Sequence, residues 1–435
     1  MIGTRFLLTG LITCCLFVGY GQKTAMSQVE IPRPAHLLLN KVSTLIESNQ
    51  CREAIHLLES FQNRAPKKSR RSKKAGNHHY LISFALGNCY LHTDQPERAA
   101  EKYQTVITDS PRYFPAWSNL GKTYFQLQQY ESAAEHFLQA YQISDYKQNR
   151  FLYLAAVSDI AGDQPEAALE KLLLLKQRHP EAFSTARQET LIQVLFTLKR
   201  YQEALPVIRK VIRHIAGQQK KNWQEILLNQ YVSLNMNPTA MALAGKLALQ
   251  DPLEPKWWKA LTHLHLTANH HDEALLSMTI YKQLTPLSAE EKKLFASLNL
   301  SLNIPVQATR IYEELLQTKE EPEIFKRLVH SYLKLDNTTA ALQWIDTGLQ
   351  HFEDVELLLL KANLLFENQR FEQAGRAYEQ LVSLNPKQGQ AWLMWGYSAW
   401  KTGREATARK ALNQARTFKG QKESALAVLN QMGRF

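Results

Sequence analysis

The sequence has few of the residues that interrupt helices or cross-link small domains. Of 435 residues, 17 are glycine, 16 are proline and four are cysteine. No segment shows the alternation of apolar and polar residues that is typical of a half-buried strand. After residue 19, no apolar run approaches the length of a membrane span. These absences predict an all-α chain in which regular helices are separated by short turns.

The sequence also lacks the motifs of common catalytic and metal sites. It contains no phosphate-binding G-x-x-x-x-G-K-[ST], no G-x-S-x-G, no H-E-x-x-H and no C-x-x-C. The densest histidine group is His263, His265, His270 and His271, whose spacing does not favour convergence on one metal ion. We therefore predict a protein that is not an enzyme and that has no cofactor and no metal.

The N-terminus has the composition of an export signal. Arg5 precedes an apolar run at residues 6–19, and small residues follow up to Ala25-Met26-Ser27, a plausible cleavage site. We predict a signal peptide at residues 1–27, a short mature segment at 28–34, and a periplasmic location. The alternative is an uncleaved N-terminal anchor. In an oxidising compartment, Cys51 and Cys89 could form a disulfide, although two buried thiols are favoured.

Residues 114–147 contain the clearest motif. Its first half places Trp117, Leu120, Gly121 and Tyr124 on one stripe of a helix, and Ala133, Phe137 and Ala140 follow at fixed offsets. The pattern resembles the tetratricopeptide repeat, a helix–turn–helix unit of 34 residues. Such a unit cannot bury its apolar face alone, so the resemblance implies further units on both sides.

A small residue equivalent to Ala133 recurs along the chain. The intervals are 33 to 37 residues except for one of 45, and the positions are Ala54, Ala99, Ala133, Ala167, Ala204, Ala240, Ala274, Ala308, Ala341, Ala374 and Ala408. We predict an α-solenoid, a right-handed superhelix of about eleven such helix pairs. Unit 1 is predicted at residues 35–68, units 2–11 at 80–420, and a capping helix at 421–435.

A basic insertion explains the long interval. Residues 69–79 are predicted to form a loop, and the surrounding stretch has seven cations and no acid: Arg64, Lys67, Lys68, Arg70, Arg71, Lys73 and Lys74. These residues supply most of the net charge of +12. Without interleaved aromatic residues and with an export signal, a nucleic-acid partner is not predicted. We expect either a solvated loop or contact with an anionic surface, such as membrane headgroups or an acidic partner.

The resemblance implies that the first helix of each pair lines a groove for an extended peptide or a partner's helix. Lys259, Lys293 and Lys326 occupy one equivalent position, and Lys256 lies one turn earlier. A polar row contains Asn229, His263, Ser297, His330 and Asn363, with Asn88, Asn119 and Lys122 as N-terminal counterparts and Tyr397 and Trp400 as an aromatic end. The alternative is ordinary solvated helix surface. The lysines resemble in part a carboxylate-clamp repeat, but Phe84 replaces its first lysine.

These features predict a non-enzymatic exported scaffold for protein–protein interactions in a bacterial envelope. The C-terminal half resembles repeat proteins that accompany TonB energy-transducing systems, which implies a role in TonB-dependent transport. A scaffold for outer-membrane secretion or polysaccharide export is an alternative. A scaffold for a cell-wall-modifying enzyme is an alternative of another class. The repeat pattern predicts architecture far more strongly than it predicts a particular partner.

Overall fold

The computed structural model describes residues 30–318 and 320–432, and within these ranges all regular structure is helical. The fold confirms the predicted all-α architecture of consecutive helix pairs. The predicted signal peptide lies outside the described residues. Within them, no helix combines the length and the apolar character needed to cross a bilayer.

The chain divides into two compact units, at residues 1–230 and 231–435. In the first, the helices are α1 (Arg33–Glu47), α2 (Cys51–Gln62), α3 (Arg70–Ala75), α4 (Tyr80–His92), α5 (Pro96–Asp109), α6 (Phe114–Gln126), α7 (Tyr130–Ile143), α8 (Asn149–Ala161), α9 (Pro165–Arg178), α10 (Thr185–Thr197) and α11 (Tyr201–His214). Helix α12 (Gly217–Ser233) includes the boundary. Apart from the short α3 and from α12, consecutive helices of this unit pack against each other as antiparallel pairs joined by short turns.

The second unit continues the same pattern of pairs. Its helices are α13 (Asn237–Gln250), α14 (Pro255–Thr267), α15 (His271–Leu284), α16 (Ala289–Ser301), α17 (Pro305–Leu316), α18 (Pro322–Lys334), α19 (Thr338–His351), α20 (Val355–Glu367), α21 (Phe371–Leu384), α22 (Gly389–Lys401), α23 (Glu405–Ala415) and α24 (Lys422–Met432). In ten pairs among the described residues the two helices contact each other, five from α1–α2 and α4–α5 to α10–α11 in the first unit and five from α14–α15 to α22–α23 in the second. Helix α24 packs on α22 and α23 and buries Ala425 and Met432.

The recurring alanine marks the second helix of every pair, with one correction. Ten of the eleven predicted alanines are fully buried. The exception is Ala167, which is half-buried, whereas Ala168 beside it is fully buried. Helix α9 begins at Pro165, and the buried alanine lies three residues after the start of the second helix in every pair. The equivalent residue is therefore Ala168, because helix phase and not interval length determines which side chain faces the first helix.

The turn within each pair has a common backbone conformation. In each turn, the residue two positions before the second helix has a left-handed backbone conformation. Its φ is 74° at Gly403 and lies between 54° and 60° at Asn49, Asp94, Gln128, Asp163, Lys199, Asn235, Asn269, Asn303, Asp336 and Gln369. Asn, Asp and Gly tolerate this region better than other residues. One such residue per pair gives an independent count of eleven.

The basic insertion is more ordered than the predicted loop. Its residues Arg70–Ala75 form α3, whose N-terminus is capped by the Ser69 hydroxyl and whose C-terminus ends at Gly76 in a left-handed conformation. The Gly76 backbone approaches Pro32 and Ala35 of the α1 N-terminus so closely that a Cβ would lie 2.9 Å from the Ala35 Cβ. The His78 ring contacts the Ala65 carbonyl at 2.9 Å. These contacts explain why a short polar helix persists here: both of its ends are fixed.

Cys51 at the start of α2 and Cys89 in α4 are both buried free thiols. They are in hydrogen-bond contact with each other, and burial raises the pKa of Cys89 to about 12. Both thiols are therefore protonated at neutral pH and pack as apolar core residues. The alternative pairing, a disulfide, is not formed in this structure.

Candidate functional site

The first helices of the pairs in the second unit present one row of equivalent positions. The row, which we call the first-helix row, contains Lys259, Lys293, Lys326, Leu359 and Leu393 on α14, α16, α18, α20 and α22. It changes from lysine to leucine along the unit. A second row one turn further contains His263, Ser297, His330, Asn363 and Tyr397.

The three lysines of the row do not stand as isolated cations. Each Nζ reaches a carboxylate near the N-terminus of the next first helix: Lys259 to Glu291 at 2.8 Å, Lys293 to Glu321 at 2.7 Å, and Lys326 to Asp354 at 3.0 Å, with Glu356 as a second partner of Lys326. A helix N-terminus favours a carboxylate. The row is thus a chain of ion pairs that joins successive helix pairs and leaves little free positive charge.

Glu291 is the most connected carboxylate of this chain. It accepts from Lys259 on α14 and from the Tyr281 hydroxyl of α15, at 2.8 and 3.1 Å. It also forms a capping box with Ser288 at the start of its own helix α16. Burial alone would raise its pKa, but the hydrogen bonds from Lys259 and Ser288 prevail and lower the pKa of Glu291 to about 2. One side chain therefore links three consecutive helices.

Several residues of the predicted polar row also bind within the protein. The Asn88 Oδ1 accepts from the Tyr103 hydroxyl at 2.6 Å and from Asn119 Nδ2 at 2.9 Å. In the second unit, the Tyr378 hydroxyl donates to Asn363 Oδ1 at 2.7 Å.

Lys122 and Lys256 also interact with neighbouring residues. Asn229, His263 and His330 are exposed. The amides thus have a structural role, and their binding of a partner stays a prediction.

Two open pockets lie where the first-helix row becomes apolar. The first, of about 260 Å³, is lined by Lys326, His330, Glu356, Leu357, Leu359, Leu360 and Asn363. The second, of about 290 Å³, is lined by Phe366, Leu393, Met394, Tyr397, Ser424 and Val428. Leu359 and Leu360 in the first pocket correspond to Leu393 and Met394 in the second, one repeat later. Equivalent apolar residues on two consecutive first helices therefore line a pocket, on the α18 side of α20 and on the α24 side of α22.

The predicted aromatic end belongs to this apolar region in part. Tyr397 lines the second pocket, and its ring lies 5.7 Å from that of Trp400. The Lys401 ammonium lies 5.4 Å from both ring centroids. Trp400 packs instead with the cluster that includes Ala425 and Met432 of α24.

The insertion provides a separate cationic surface in the first unit. Lys67 pairs with Asp109 at 3.1 Å, and the Arg64 guanidinium lies over the Phe61 ring. Lys68, Arg70, Arg71, Lys73 and Lys74 are exposed, and no carboxylate among the described residues pairs with them. Among the described residues, no group of three or more His, Cys, Asp or Glu side chains is arranged to bind a metal ion.

Sequence reasoning missed the acidic partners and the apolar continuation. The carboxylates Glu291, Glu321 and Asp354 lie 28 to 32 residues after their lysines, a spacing just below the repeat length. Extending the lysine register by two further units would have reached Leu359 and Leu393. Both signals were therefore present in the sequence.

Comparison with family models identifies the repeat in two segments of the chain. Tetratricopeptide repeat models match residues 114–146 and residues 359–423. A search among curated proteins finds no significant match. Many solved structures are similar, and the three described next are 13% to 16% identical.

Three of these structures show how much of each chain is covered. A structure of Naa15/Naa10 bound to HypK-THB is 14% identical over 90% of this chain, with a TM-score of 0.41, and this chain spans 64% of its length. YrrB, described as a TPR protein with an unusual peptide-binding site, is 16% identical over 43% of this chain and 97% of its own, with a TM-score of 0.35. A tetratricopeptide repeat protein from Parabacteroides merdae is 13% identical over 57% of this chain and 98% of its own, with a TM-score of 0.32. The two matched segments, one in each unit, are tetratricopeptide repeats.

Proposed function

We propose that the protein is a non-enzymatic scaffold that binds a segment of another protein along the first helices of its second unit. The observation that supports this proposal is the pair of open pockets that include equivalent apolar residues of α20 and α22. Neighbouring helices pack about 8–10 Å apart, and an extended peptide covers that distance in about three residues. The first pocket lies between α18 and α20 and the second around α22 and α24, about one and a half to two steps further, so a segment with apolar side chains about four to six residues apart would fill both.

The ion-pair chain affects the chemistry of this partner. Because Lys259, Lys293 and Lys326 already contact carboxylates, an acidic partner would have to displace Glu291, Glu321 or Asp354. The apolar end needs no such exchange. Apolar burial therefore supplies the binding energy in this proposal, and the polar part of the row fixes the direction of the bound segment.

Site-specific photo-crosslinking tests this function. A photoreactive phenylalanine analogue is placed at Leu360 or Leu393, in the two pockets, and separately at Leu249, which is 83% exposed on the second helix α13. We expect adducts with one or a few proteins from the pocket positions and none from Leu249. Equal labelling at all three positions would contradict a binding surface on the first helices.

A competing substitution sharpens this experiment. Met394→Asp places a charge in the second pocket while the analogue reports from Leu360 in the first. If one segment fills both pockets, the adduct at Leu360 should fall several-fold. The matched control is Leu276→Asp, because Leu276 is 63% exposed on α15, away from both pockets.

We propose further that the scaffold is exported and acts in a bacterial envelope, in support of a TonB-dependent transport system. The predicted N-terminal signal and the resemblance of the C-terminal half support this assignment. Scaffolds for secretion, for polysaccharide export or for a cell-wall-modifying enzyme are the competing assignments. Fractionation with and without residues 1–27 tests export, and identification of the crosslinked protein distinguishes the systems.

The unpaired cations of the insertion support a second contact, with an anionic surface. Arg70, Arg71, Lys73 and Lys74 lie on α3, whose ends are fixed, and Lys68 lies just before it. Fixed cations lose less conformational freedom on binding than those of a disordered loop. Charge reversal of Arg70 and Arg71 should weaken this contact, as measured in the experiment described next.

A further inference from the structure

A solenoid of antiparallel pairs has two edges with different turns. Turns within a pair lie on one edge, which we call the intra-pair edge, and turns from one pair to the next lie on the other, the inter-pair edge. In the first unit the insertion belongs to the inter-pair edge, because it joins α2 to α4. The ion pair of Lys67 with Asp109 at the end of α5 places it beside the next inter-pair turn.

The two edges of the first unit have opposite charge. Acids exceed cations on the intra-pair edge: Glu47, Glu53, Asp94, Glu97, Glu131, Asp163, Glu166 and Glu203 against Arg52, Arg98, Lys199 and Arg200. On the inter-pair edge between the insertion and α12, the exposed cations are Arg112, Lys147, Lys176, Arg178, Arg209, Lys210, Arg213 and Lys220, and the acids are Asp109, Asp145 and Glu181. Because the seven cations around the insertion supply most of the net charge, the total charge of the chain does not reveal this separation.

A second basic cluster lies at the far end of the inter-pair edge, where α11 meets α12. Residues 204–224 contain five cations and no carboxylate: Arg209, Lys210, Arg213, Lys220 and Lys221. Arg209, Lys210, Arg213 and Lys220 are exposed, and among the described residues none of these four has a carboxylate partner. Arg209 and Arg213 are four residues apart on α11, a like-charge spacing that destabilises a helix slightly. These four side chains therefore contribute no stabilising ion pair.

We propose that the whole inter-pair edge of the first unit, with the insertion at one end and the α11–α12 cluster at the other, docks on an anionic lipid bilayer. Four helix-pair steps separate the two clusters, which gives roughly 30–40 Å at 8–10 Å per step. A bilayer surface contacts both clusters at once, whereas a short acidic peptide reaches one. Clusters of Lys and Arg bind anionic headgroups additively.

The position of the chain terminus supports a bilayer over an acidic protein. Helix α1 begins on the same edge, since Pro32 and Ala35 contact Gly76 of the insertion. In the alternative in which the N-terminus is an uncleaved anchor, the apolar run at residues 6–19 would enter the bilayer that this edge faces, whereas a cleaved leader adds no such support. The proposal extends the anionic contact proposed for the insertion and depends on it only at one of the two ends.

Vesicle co-sedimentation of the full chain tests the proposal. The probes are phosphatidylcholine vesicles with about one third phosphatidylglycerol and pure phosphatidylcholine vesicles, at low and at high salt. We expect salt-sensitive binding to the anionic vesicles alone. The Arg209→Glu/Arg213→Glu variant should bind at least about tenfold more weakly, because each reversal replaces attraction by repulsion.

Two matched variants make the outcomes distinct. Arg52→Glu/Lys199→Glu changes the total charge equally, but on the intra-pair edge, and should bind as the unaltered protein does. Arg70→Glu/Arg71→Glu tests the insertion alone. Circular dichroism checks that each variant is folded.

Three results would overturn the proposal. If the α11 variant binds normally while the insertion variant does not, the insertion contact stands and the extended edge is wrong. If the intra-pair control loses binding equally, net charge and not the edge is responsible. Salt-sensitive binding to soluble polyglutamate without binding to anionic vesicles would indicate an acidic protein partner instead.

Discussion

At the scale of single residues, close approach between helices depends on glycines placed opposite large side chains. A Cβ at Gly121 would lie 2.9 Å from the Phe137 ring, and one at Gly87 would lie 2.6 Å from the Tyr103 ring. In each case the glycine is on the first helix and the aromatic residue follows 16 residues later on the second. These rings fill the space that the missing side chain leaves, so the helices pack tightly at that point.

The substitution Gly121→Ala should therefore destabilise the protein. The added Cβ forces the Phe137 ring or α7 to move, which we expect to lower the free energy of unfolding by about 1–3 kcal/mol. The measurement is the shift of the guanidinium unfolding midpoint. Gly245→Ala is the matched control, since nothing lies within 4 Å of its Cβ inside α13. It should stabilise by about 0.5–1 kcal/mol, and destabilisation by both variants would contradict the packing argument.

Packing residues were predictable from the sequence because their types are restricted. Trp117, Leu120, Gly121 and Ala133 could be identified by spacing alone. The hydrogen bonds that orient them could not. The Trp117 indole donates to the Pro111 carbonyl at 2.8 Å, and the same bond, at 2.9 Å, recurs from Trp258 to Pro252 and from Trp392 to Pro386. A proline six residues before a tryptophan thus identifies this turn.

At the scale of helices, the two units join successive pairs by different means. In the first unit, neutral contacts join the first helices: Asn119 with Asn88, Tyr153 with Thr190 at 3.0 Å, and the rings of Tyr80 and Tyr113 at 5.2 Å. The Arg98–Glu59 ion pair, at 2.8 Å, joins second helices instead. In the second, lysine–carboxylate pairs connect the first helices. Stability of the second unit should therefore depend more strongly on pH.

The substitution Glu291→Gln tests this dependence. The pKa of Glu291 is about 2 in the folded protein against a usual 4.5. Because the folded pKa is the lower one, its stabilisation is complete above about pH 4.5 and is lost as the pH falls towards 2. After discounting for solvent screening, we expect the variant to be about 1–2 kcal/mol less stable at pH 7.

The same variant should lose part of the decline in stability between pH 5 and pH 2. Unfolding midpoints measured across that range provide the test. Glu290→Gln is the control, because the Glu290 side chain is 80% exposed. An unchanged pH profile in the Glu291 variant would show that this carboxylate is not held as the structure indicates.

The helices and their pairing could be predicted from periodicity, whereas the ion pairs between successive helix pairs could not. Lysine is common on any solvated helix, so the row of Lys259, Lys293 and Lys326 could be found from the sequence, but its ion pairs could not. The carboxylate partners lie at the start of the next first helix, and only the stacking of pairs brings them close. The order of the insertion was missed for the same reason, because Gly76 contacts Pro32, which is distant in sequence.

At the scale of the whole molecule, α24 packs against the pair α22–α23 in the place predicted for a capping helix. This helix buries Ala425 and Met432 against α22 and α23 and provides Ser424 and Val428 to the second pocket. Without it, the apolar face of the last pair would be exposed to water. Terminal units with a polar outer face keep repeat arrays soluble.

Ending the chain after Gly420 should therefore expose Leu412, Ala415 and Trp400. We expect a lower unfolding midpoint and concentration-dependent association, measured by denaturation and by light scattering. Ala425→Glu keeps the full length but places a charge at a fully buried position, and should have the same effect in milder form. If the shortened protein stays monomeric and equally stable, α24 does not serve as a cap.

The lysine–carboxylate pairs of the second unit have a mechanical consequence. They cross the joints between successive helix pairs, where a stack of repeats bends when it is stretched. Salt screens these charges partly, because most are near the surface. The stiffness of the second unit should therefore fall as ionic strength rises, whereas that of the first unit, in which the first helices are joined by neutral contacts, should change less.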